Sequence, residues 1–432
     1  MDAPAADLAT ALAEAEARYT AANPKSRARF EMAREVMPGG NTRTVIHFPP
    51  FPFGVERAEG AVLHDLDGHS YLDFQGEYSA GILGHSHPAI IAAAQDALSR
   101  GLSYGAPNES EALFAAEICR RFPSIDLVRF TNSGTEANLM AITTARALTG
   151  RDKVVVMKGG YHGAVFVMSP TGAKTNAPFP WVEVAINDTD GARSLLAEQG
   201  REIAALVIEP VMGSSGGVRA TPEFLQMLRD ECTASGIVLI FDEVMTSRMS
   251  PGGMQAKLGI VPDMTTLGKY LGGGFTFGAF GGRREIMSLY DPDRADGLKH
   301  AGTFNNNVMT MAAGLVTLRD ILDPATLEAL NDRGDRLRAA INQVAQDHQV
   351  AMQALGEGSI FTIHFQSGAI ETPQDIDPAT EARSLLHLHM LEHGILIARR
   401  SYLALSIALT DADCEAFLSA FAAFCRRYRH LL

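Results

Sequence analysis

Cysteine is scarce in this chain: four in 432 residues, at Cys119, Cys232, Cys414 and Cys425, with no close Cys-x-x-Cys pair. Neither a disulfide framework nor a structural metal is expected, and the four read as reduced, buried thiols of a cytoplasmic protein. Positive charge is also short. Lys and Arg number 37 against 50 Asp and Glu, a net charge of −13, and no basic cluster stands out. Nucleic acid is an unsuitable partner for such a surface, because phosphate binding requires local positive charge. Long apolar runs are missing as well. Stretches such as Ile203–Ile208 fall far below the roughly 20 residues that a membrane-spanning helix takes. The opening segment, Met1 to Asp7, is acidic and Ala-rich rather than positive and then apolar, so no secretory signal is expected. No internal repeat or low-complexity tract is visible.

What is present is enough apolar residue, 46% of the chain, to bury a large core in more than one domain. Residues 6–36 carry Leu, Ala and Phe at helical spacing, and 62–65 with 70–74 read as a hairpin through Asp67 and Gly68. From about residue 88, helices alternate with short apolar strands at Leu127–Phe130, Lys153–Met157, Ile203–Ile208, Ile237–Phe241 and Phe277–Gly281. That alternation predicts an α/β fold with a mostly parallel sheet covered on both faces. A long helical stretch over 308–347 leads to strands at 360–365 and 403–407 and a helix at 411–428. The expected division is an N-terminal segment 1–75, a large α/β domain 76–315 and a smaller α+β domain 316–432.

The chemistry is carried by short segments. Lys269 sits in Thr265–Tyr270, a short apolar stretch that opens into Gly272, Gly273 and Gly274. Asp242 ends an apolar strand, which in a parallel sheet places it at the crevice where ligands bind. A lysine on a short loop near a strand-end aspartate suits pyridoxal phosphate. That cofactor needs an amine to hold its aldehyde as a Schiff base and an acid to keep its ring nitrogen protonated. Val244, two residues on, shares a side with Asp242 if the strand continues. Glu243 reads as a structural salt-bridge partner. Ser133, Gly134 and Thr135 lie between a strand and a helix, where hydroxyls and helix N-terminal amides can bind phosphate; an ordinary Ser/Thr cap would read the same way. Tyr161, flanked by Gly159, Gly160 and Gly163, has room to lie against a planar ligand, or is the surface Tyr of a tight turn. No His cluster at ligand spacing accompanies Asp242 and Glu243, since His85 and His87 are adjoined only by Gly84 and Pro88; catalysis by a bound metal is not expected.

Six segments in this order resemble class III aminotransferases: Asn132–Ala137, Gly159–Gly163, Glu209-Pro210, Asp242-Glu243-Val244, Leu267-Gly268-Lys269 and Gly302-Thr303-Phe304. The resemblance runs from about residue 37 to the C-terminus. It implies a fold-type I pyridoxal-phosphate transferase and an enzyme. Lys269 would carry the cofactor's aldehyde and Asp242 would pair with the ring nitrogen, with Tyr161 stacked on the ring and Val244 behind it. Ser133, Gly134 and Thr135 would hold the phosphate, and Glu209 would be an acid near the cofactor. Thr303 would reach the phosphate in a partner subunit's site, which implies a homodimer with shared active sites.

Within the class, the chain resembles glutamate-1-semialdehyde aminomutases and bacterial β-amino-acid aminotransferases of the β-phenylalanine type. The run Gly302–Asn307 and the pair Arg399-Arg400 are similar to the second group; aminomutases usually have Gly-Asn-Pro at the first and an acidic residue at the second. The resemblance therefore implies transfer from a β-amino acid to a keto acid such as 2-oxoglutarate or pyruvate. An arginine can grip a carboxylate bidentately, which makes Arg400 and Arg43 the candidate substrate clamps. A surface residue at a domain edge is the plain alternative for Arg400, and a solvated loop arginine for Arg43. The segment His47–Phe53 could wall an apolar side chain. The other readings are the aminomutase and, in a different class, a non-catalytic sensor or structural homologue, against which the joint presence of Lys269 and Asp242 argues.

Overall fold

The structure is a computed structural model, and it describes residues 7–169, 172 and 174–432. The chain forms two compact units. One comprises Met1–His87, Asp332–Ala369 and Ile376–Leu432; the other, larger one comprises Pro88–Asn331 and Ile370–Asp375.

The larger unit is built on a seven-stranded sheet. Its strands are β1 (Leu127–Thr131), β2 (Lys153–Met157), β3 (Trp181–Val184), β4 (Ile203–Ile208), β5 (Val238–Asp242), β6 (Met264–Gly268) and β7 (Gly278–Gly282). Their order across the sheet is β1-β7-β6-β5-β4-β2-β3. Neighbours from β6 to β3 run parallel, and only β7 is antiparallel to the strands beside it. Every residue of β4 and β5 is buried. Burial on both faces explains why these strands are unbroken apolar runs rather than alternating ones.

Helix α1 (Gly134–Thr149) lies against this sheet. Ser133 caps it by accepting from the Glu136 amide at 3.2 Å, and Gly150 ends it in the left-handed region at φ 65°. Ala137, Ala141 and Ala145 share one face and pack with Val154, Val156, Val207 and Ile240. Small side chains at i, i+4 and i+8 let the helix approach the strands closely. The long helical stretch expected at 308–347 is interrupted. Val308–Val316 passes into a π-helical turn, Thr317–Ile321, and a new helix begins at Pro324, because proline cannot continue the donor ladder of the turn before it.

The smaller unit contains helices Leu8–Ala22 and Pro24–Arg34 and two small sheets. In one, Val62–Asp65 and Ser70–Asp73 form the antiparallel hairpin, flanked by Val55–Glu59 and by Ile395–Leu396, which pairs in parallel. The other joins Gln353–Glu357, Ile360–His364 and Tyr402–Ala404. Helix α2 (Thr380–Glu392) belongs to the same unit. Among the described residues, no helix is long and apolar enough to cross a membrane. All four thiols are free; three are buried, whereas Cys119 is half-buried, short of the burial expected for it.

Candidate active site

Parallel strands deliver their carboxyl ends to one edge of the sheet, and five of them deliver the site. Ser133 follows β1, the Gly159–Gly163 turn follows β2, Glu209 follows β4, Asp242 ends β5 and Lys269 follows β6. A cavity of about 160 Å³ opens there. Gly134, Thr135, Tyr161 and Glu209 line it, together with Asp242, Val244 and Lys269.

Asp242 is only 4% exposed. Its Oδ2 accepts from Asn138 Nδ2 at 2.8 Å and faces His162 Nδ1 at 2.9 Å, while Oδ1 accepts from the Val244 amide at 3.1 Å. Asn138 is fixed in turn by Thr266 Oγ1, which donates to its Oδ1 at 2.7 Å. The carboxylate is thereby aimed by three partners from three separate elements. His162 is 2% exposed, and its Nε2 has no hydrogen-bond partner among the described residues. Burial works against its charged form, but the hydrogen bond and charge of Asp242, with Glu209 behind them, prevail and raise its pKa above the ordinary value. Glu209 shows the converse. Burial pushes its carboxyl up to about 7, with His162 opposing and Asp242 adding to the rise. Its Oε1 accepts from the Tyr161 amide at 2.9 Å.

Lys269 is half-buried and takes φ 54°, the left-handed region that a lysine rarely occupies. Such a conformation costs of order 1–3 kcal/mol and persists where the surroundings over-determine it. Here the preceding strand is locked in the sheet and the following turn, Lys269–Gly272, closes at once. Val244 fills the space between two glycines. A Cβ on Gly134 would come within 2.9 Å of its Cγ2, and one on Gly268 within 3.1 Å of its Cγ1. Gly163, at φ 123°, lies so close to Thr135 that a Cβ would sit 2.7 Å from that residue's Cα. Thr135 Oγ1 accepts from the Ala164 amide at 3.1 Å, which ties the loop after β2 to the start of α1. Tyr161 is 40% exposed at the mouth.

Among the described residues Glu243, expected to form a salt bridge, accepts hydrogen bonds. The Met254 and Gln255 amides, Gln255 Nε2 and Thr246 Oγ1 all donate to it. Thr303 is exposed in the turn over 303–306, and within one chain it does not line the cavity at Lys269. Arg43 and Arg400 belong to the smaller unit, where both approach one ring: their guanidinium carbons lie 5.8 and 5.1 Å from the centroid of Tyr78. Arg400 also lies 5.1 Å from the Tyr402 centroid. Tyr78 is the middle of three consecutive left-handed residues, Glu77, Tyr78 and Ser79, at φ 48°, 56° and 76°, and its hydroxyl donates to the Val45 carbonyl at 2.8 Å.

Sequence reasoning passed over Asn138, His162 and Tyr78. A signal existed for two of them. Asn138 is a polar residue beside the apolar stripe of α1, and His162 adjoins the Tyr161 already singled out. Tyr78 carries no local signal.

The set fits pyridoxal phosphate. A buried carboxylate held by an imidazole can face a protonated ring nitrogen. The glycine-lined start of α1 leaves backbone amides and the Ser133 and Thr135 hydroxyls for a phosphate. Lys269 would supply the amine, and Val244, packed between Gly134 and Gly268, would stand behind the ring.

Residues 47–424 match the model of the family described as aminotransferase class-III. A β-phenylalanine transaminase of Variovorax paradoxus is 47% identical over 415 residues, covering 96% of this chain and 95% of the relative. A glutamate-1-semialdehyde 2,1-aminomutase of Methanothermobacter thermautotrophicus is 38% identical over 387 residues, covering 86% and 91%. The crystal structure of a β-phenylalanine aminotransferase from Variovorax paradoxus superposes with a TM-score of 0.96 at 46% identity, covering 98% of this chain and 99% of that one.

Proposed function

The chain belongs to the class-III aminotransferase family, whose members work with pyridoxal phosphate, and from that premise we propose that it moves the amino group of an aromatic or aliphatic β-amino acid to a keto acid such as 2-oxoglutarate or pyruvate. The observation that carries this reading is the pair of guanidinium groups over Tyr78. Two cations on one aromatic platform suit substrates that each bring a carboxylate. The 47% identity to a β-phenylalanine transaminase supports the same donor class.

When bound, the cofactor supplies an aldehyde that takes up the amino group and a ring that draws electrons from the substrate carbon. Ser133, Thr135 and the first amides of α1 hold its phosphate, and Val244 packs behind its ring. Asp242 would keep a proton on the ring nitrogen, and His162 and Asn138 hold Asp242 aimed. The Lys269 amine, freed when the amino donor takes its place, would remove the proton from the substrate carbon and deliver it to the carbon that carried the cofactor's aldehyde, a transfer that needs a base within hydrogen-bond reach. Tyr161 covers the mouth. Arg400 and Arg43 are the clamps for the substrate carboxylates, with Arg400 the one set against the keto acid. Thr303, which stands exposed on its own chain, completes the site of a second copy in a homodimer.

A donor-by-acceptor screen tests the reading. Amino transfer from 3-amino-3-phenylpropanoate to 2-oxoglutarate or pyruvate is expected. Inactivity with every β-amino acid, together with isomerisation of glutamate-1-semialdehyde without any keto acid, would establish the aminomutase reading that the 38% identical relative represents.

A further inference from the structure

Arg383 is a buried cation with three hydrogen bonds to backbone oxygens and one to a ring nitrogen. It is 8% exposed and lies in the first turn of α2, where the helix dipole disfavours positive charge. Its Nε donates to the Pro378 carbonyl at 2.9 Å, and its Nη1 to the carbonyls of Ile363 at 2.9 Å and Arg400 at 2.8 Å. Nη2 reaches His364 Nδ1 at 3.2 Å. Burial pulls its pKa down to about 10, with Asp377 opposing and the like charge of Arg400 assisting. Burying a cation at the wrong end of a helix is costly, so the geometry it provides has to matter. A guanidinium presents donors in a rigid fork that an ammonium cannot reproduce.

That fork lands on the turn that carries Arg400. The turn is tight: the Ser401 amide donates to the Ala398 carbonyl at 2.7 Å, and Ser401 sits at φ 63°. The Ile363 amide donates to the Ser401 carbonyl at 2.9 Å, so strand Ile360–His364 and Arg383 grip the turn from two sides. The next residue of α2 joins in, since Arg399 Nε donates to Ser384 Oγ at 3.1 Å.

We infer that Arg383 is a positioning residue: it fixes the backbone of Arg400 so that the Arg400 side chain, over Tyr78 and Tyr402, is preorganised to receive a substrate carboxylate. The inference rests on the proposed role of Arg400. Preorganisation of this kind is expressed in binding of the carboxylate and not in the proton transfer at Lys269.

The test compares holoenzymes of the wild type, Arg383→Met, Arg383→Lys and Arg400→Ala, with KM and kcat measured for 2-oxoglutarate and inhibition measured with glutarate. For Arg383→Met the account predicts a KM and an inhibition constant raised about tenfold or more, since small misplacements of a binding group carry costs of that size. The kcat at saturation stays within about twofold of wild type. Arg383→Lys, which keeps one donor for the Ile363 and Arg400 carbonyls but loses the second donor to Pro378, is expected to fall between. An unchanged KM in Arg383→Met, with a raised KM in Arg400→Ala, overturns the inference alone. An unchanged KM in Arg400→Ala overturns the clamp reading and this inference with it. A loss of kcat at unchanged KM assigns Arg383 to general structure and also overturns it. Should Arg383→Met yield no folded holoenzyme, an unchanged KM in Arg383→Lys has the same force.

Discussion

Asp242 Oδ2 and His162 Nδ1 stand 2.9 Å apart, and both side chains are almost wholly withdrawn from water. In that setting an ionised carboxylate and an imidazolium stabilise one another far more than they would at a surface. The pair joins the end of β5 to the turn after β2, so the charge at the base of the cavity is held by the sheet itself.

Replacing Asp242 by Asn keeps the shape and removes the charge. Activity is expected to fall by on the order of 3 kcal/mol or more in transition-state stabilisation, as for other preorganised groups, while much of the cofactor remains bound. Cofactor absorbance and kcat/KM on the same sample check this. A variant that turns over near the wild-type rate would remove the role given to Asp242.

The titration of Glu209 gives a pH dependence with a definite sign. Its pKa is raised from 4.5 to about 7 in the folded chain, so the fold holds a proton that the unfolded chain releases. The resulting stability is full below the unfolded value and is lost as pH rises through the folded one. His162, raised above 6.5, acts in the same direction at higher pH. Thermal unfolding of the apoprotein should therefore move to lower temperature between about pH 5 and pH 8, and Glu209→Gln should flatten that slope. Parallel curves for the two proteins would contradict it.

Gly163→Ala asks a left-handed position at φ 123° to accept a side chain whose Cβ would lie 2.7 Å from Thr135 Cα. The expected cost is about 1–3 kcal/mol, borne by the phosphate cradle. Titration of the apoprotein with pyridoxal phosphate should show weaker binding at a thermal stability reduced only modestly. Unchanged affinity would place the phosphate elsewhere.

Five of the seven large-sheet strands were legible as apolar runs; burial on both faces leaves that mark on most of them, whereas Leu127–Thr131 is only half-buried over its first three residues. Trp181–Val184 was not legible, being a half-exposed edge strand. Met264–Gly268 was hidden by its threonines. Thr265 and Thr266 break the apolar run with two hydroxyls, yet both are buried, with those hydroxyls satisfied by Ser124, Gln255 and Asn138. Only the folded chain supplies those partners. The site divides in the same way. Lys269 and Asp242 stand out from their neighbours in sequence, whereas the link of Asp242 to Asn138 and His162 exists only once three elements meet. Arg43 and Arg400 could each be named as clamps, but nothing near either one announces that they meet at Tyr78.

Lys269→Ala is expected to abolish turnover while leaving the fold intact, since the side chain does chemistry rather than packing. Borohydride reduction of the holoenzyme followed by peptide mapping should place the cofactor on Lys269. Attachment to another lysine would sink the assignment.

The central claim, amino transfer from a β-amino acid to a keto acid, is tested most directly by one single-turnover cycle followed by absorbance. The cofactor-loaded enzyme is mixed with 3-amino-3-phenylpropanoate alone, and 2-oxoglutarate is added after the spectrum settles. The account predicts loss of the aldehyde form's absorbance in the first step and its full return in the second, with the return slowed selectively in Arg400→Ala. No spectral change with any β-amino acid, in an enzyme that isomerises glutamate-1-semialdehyde, would contradict it.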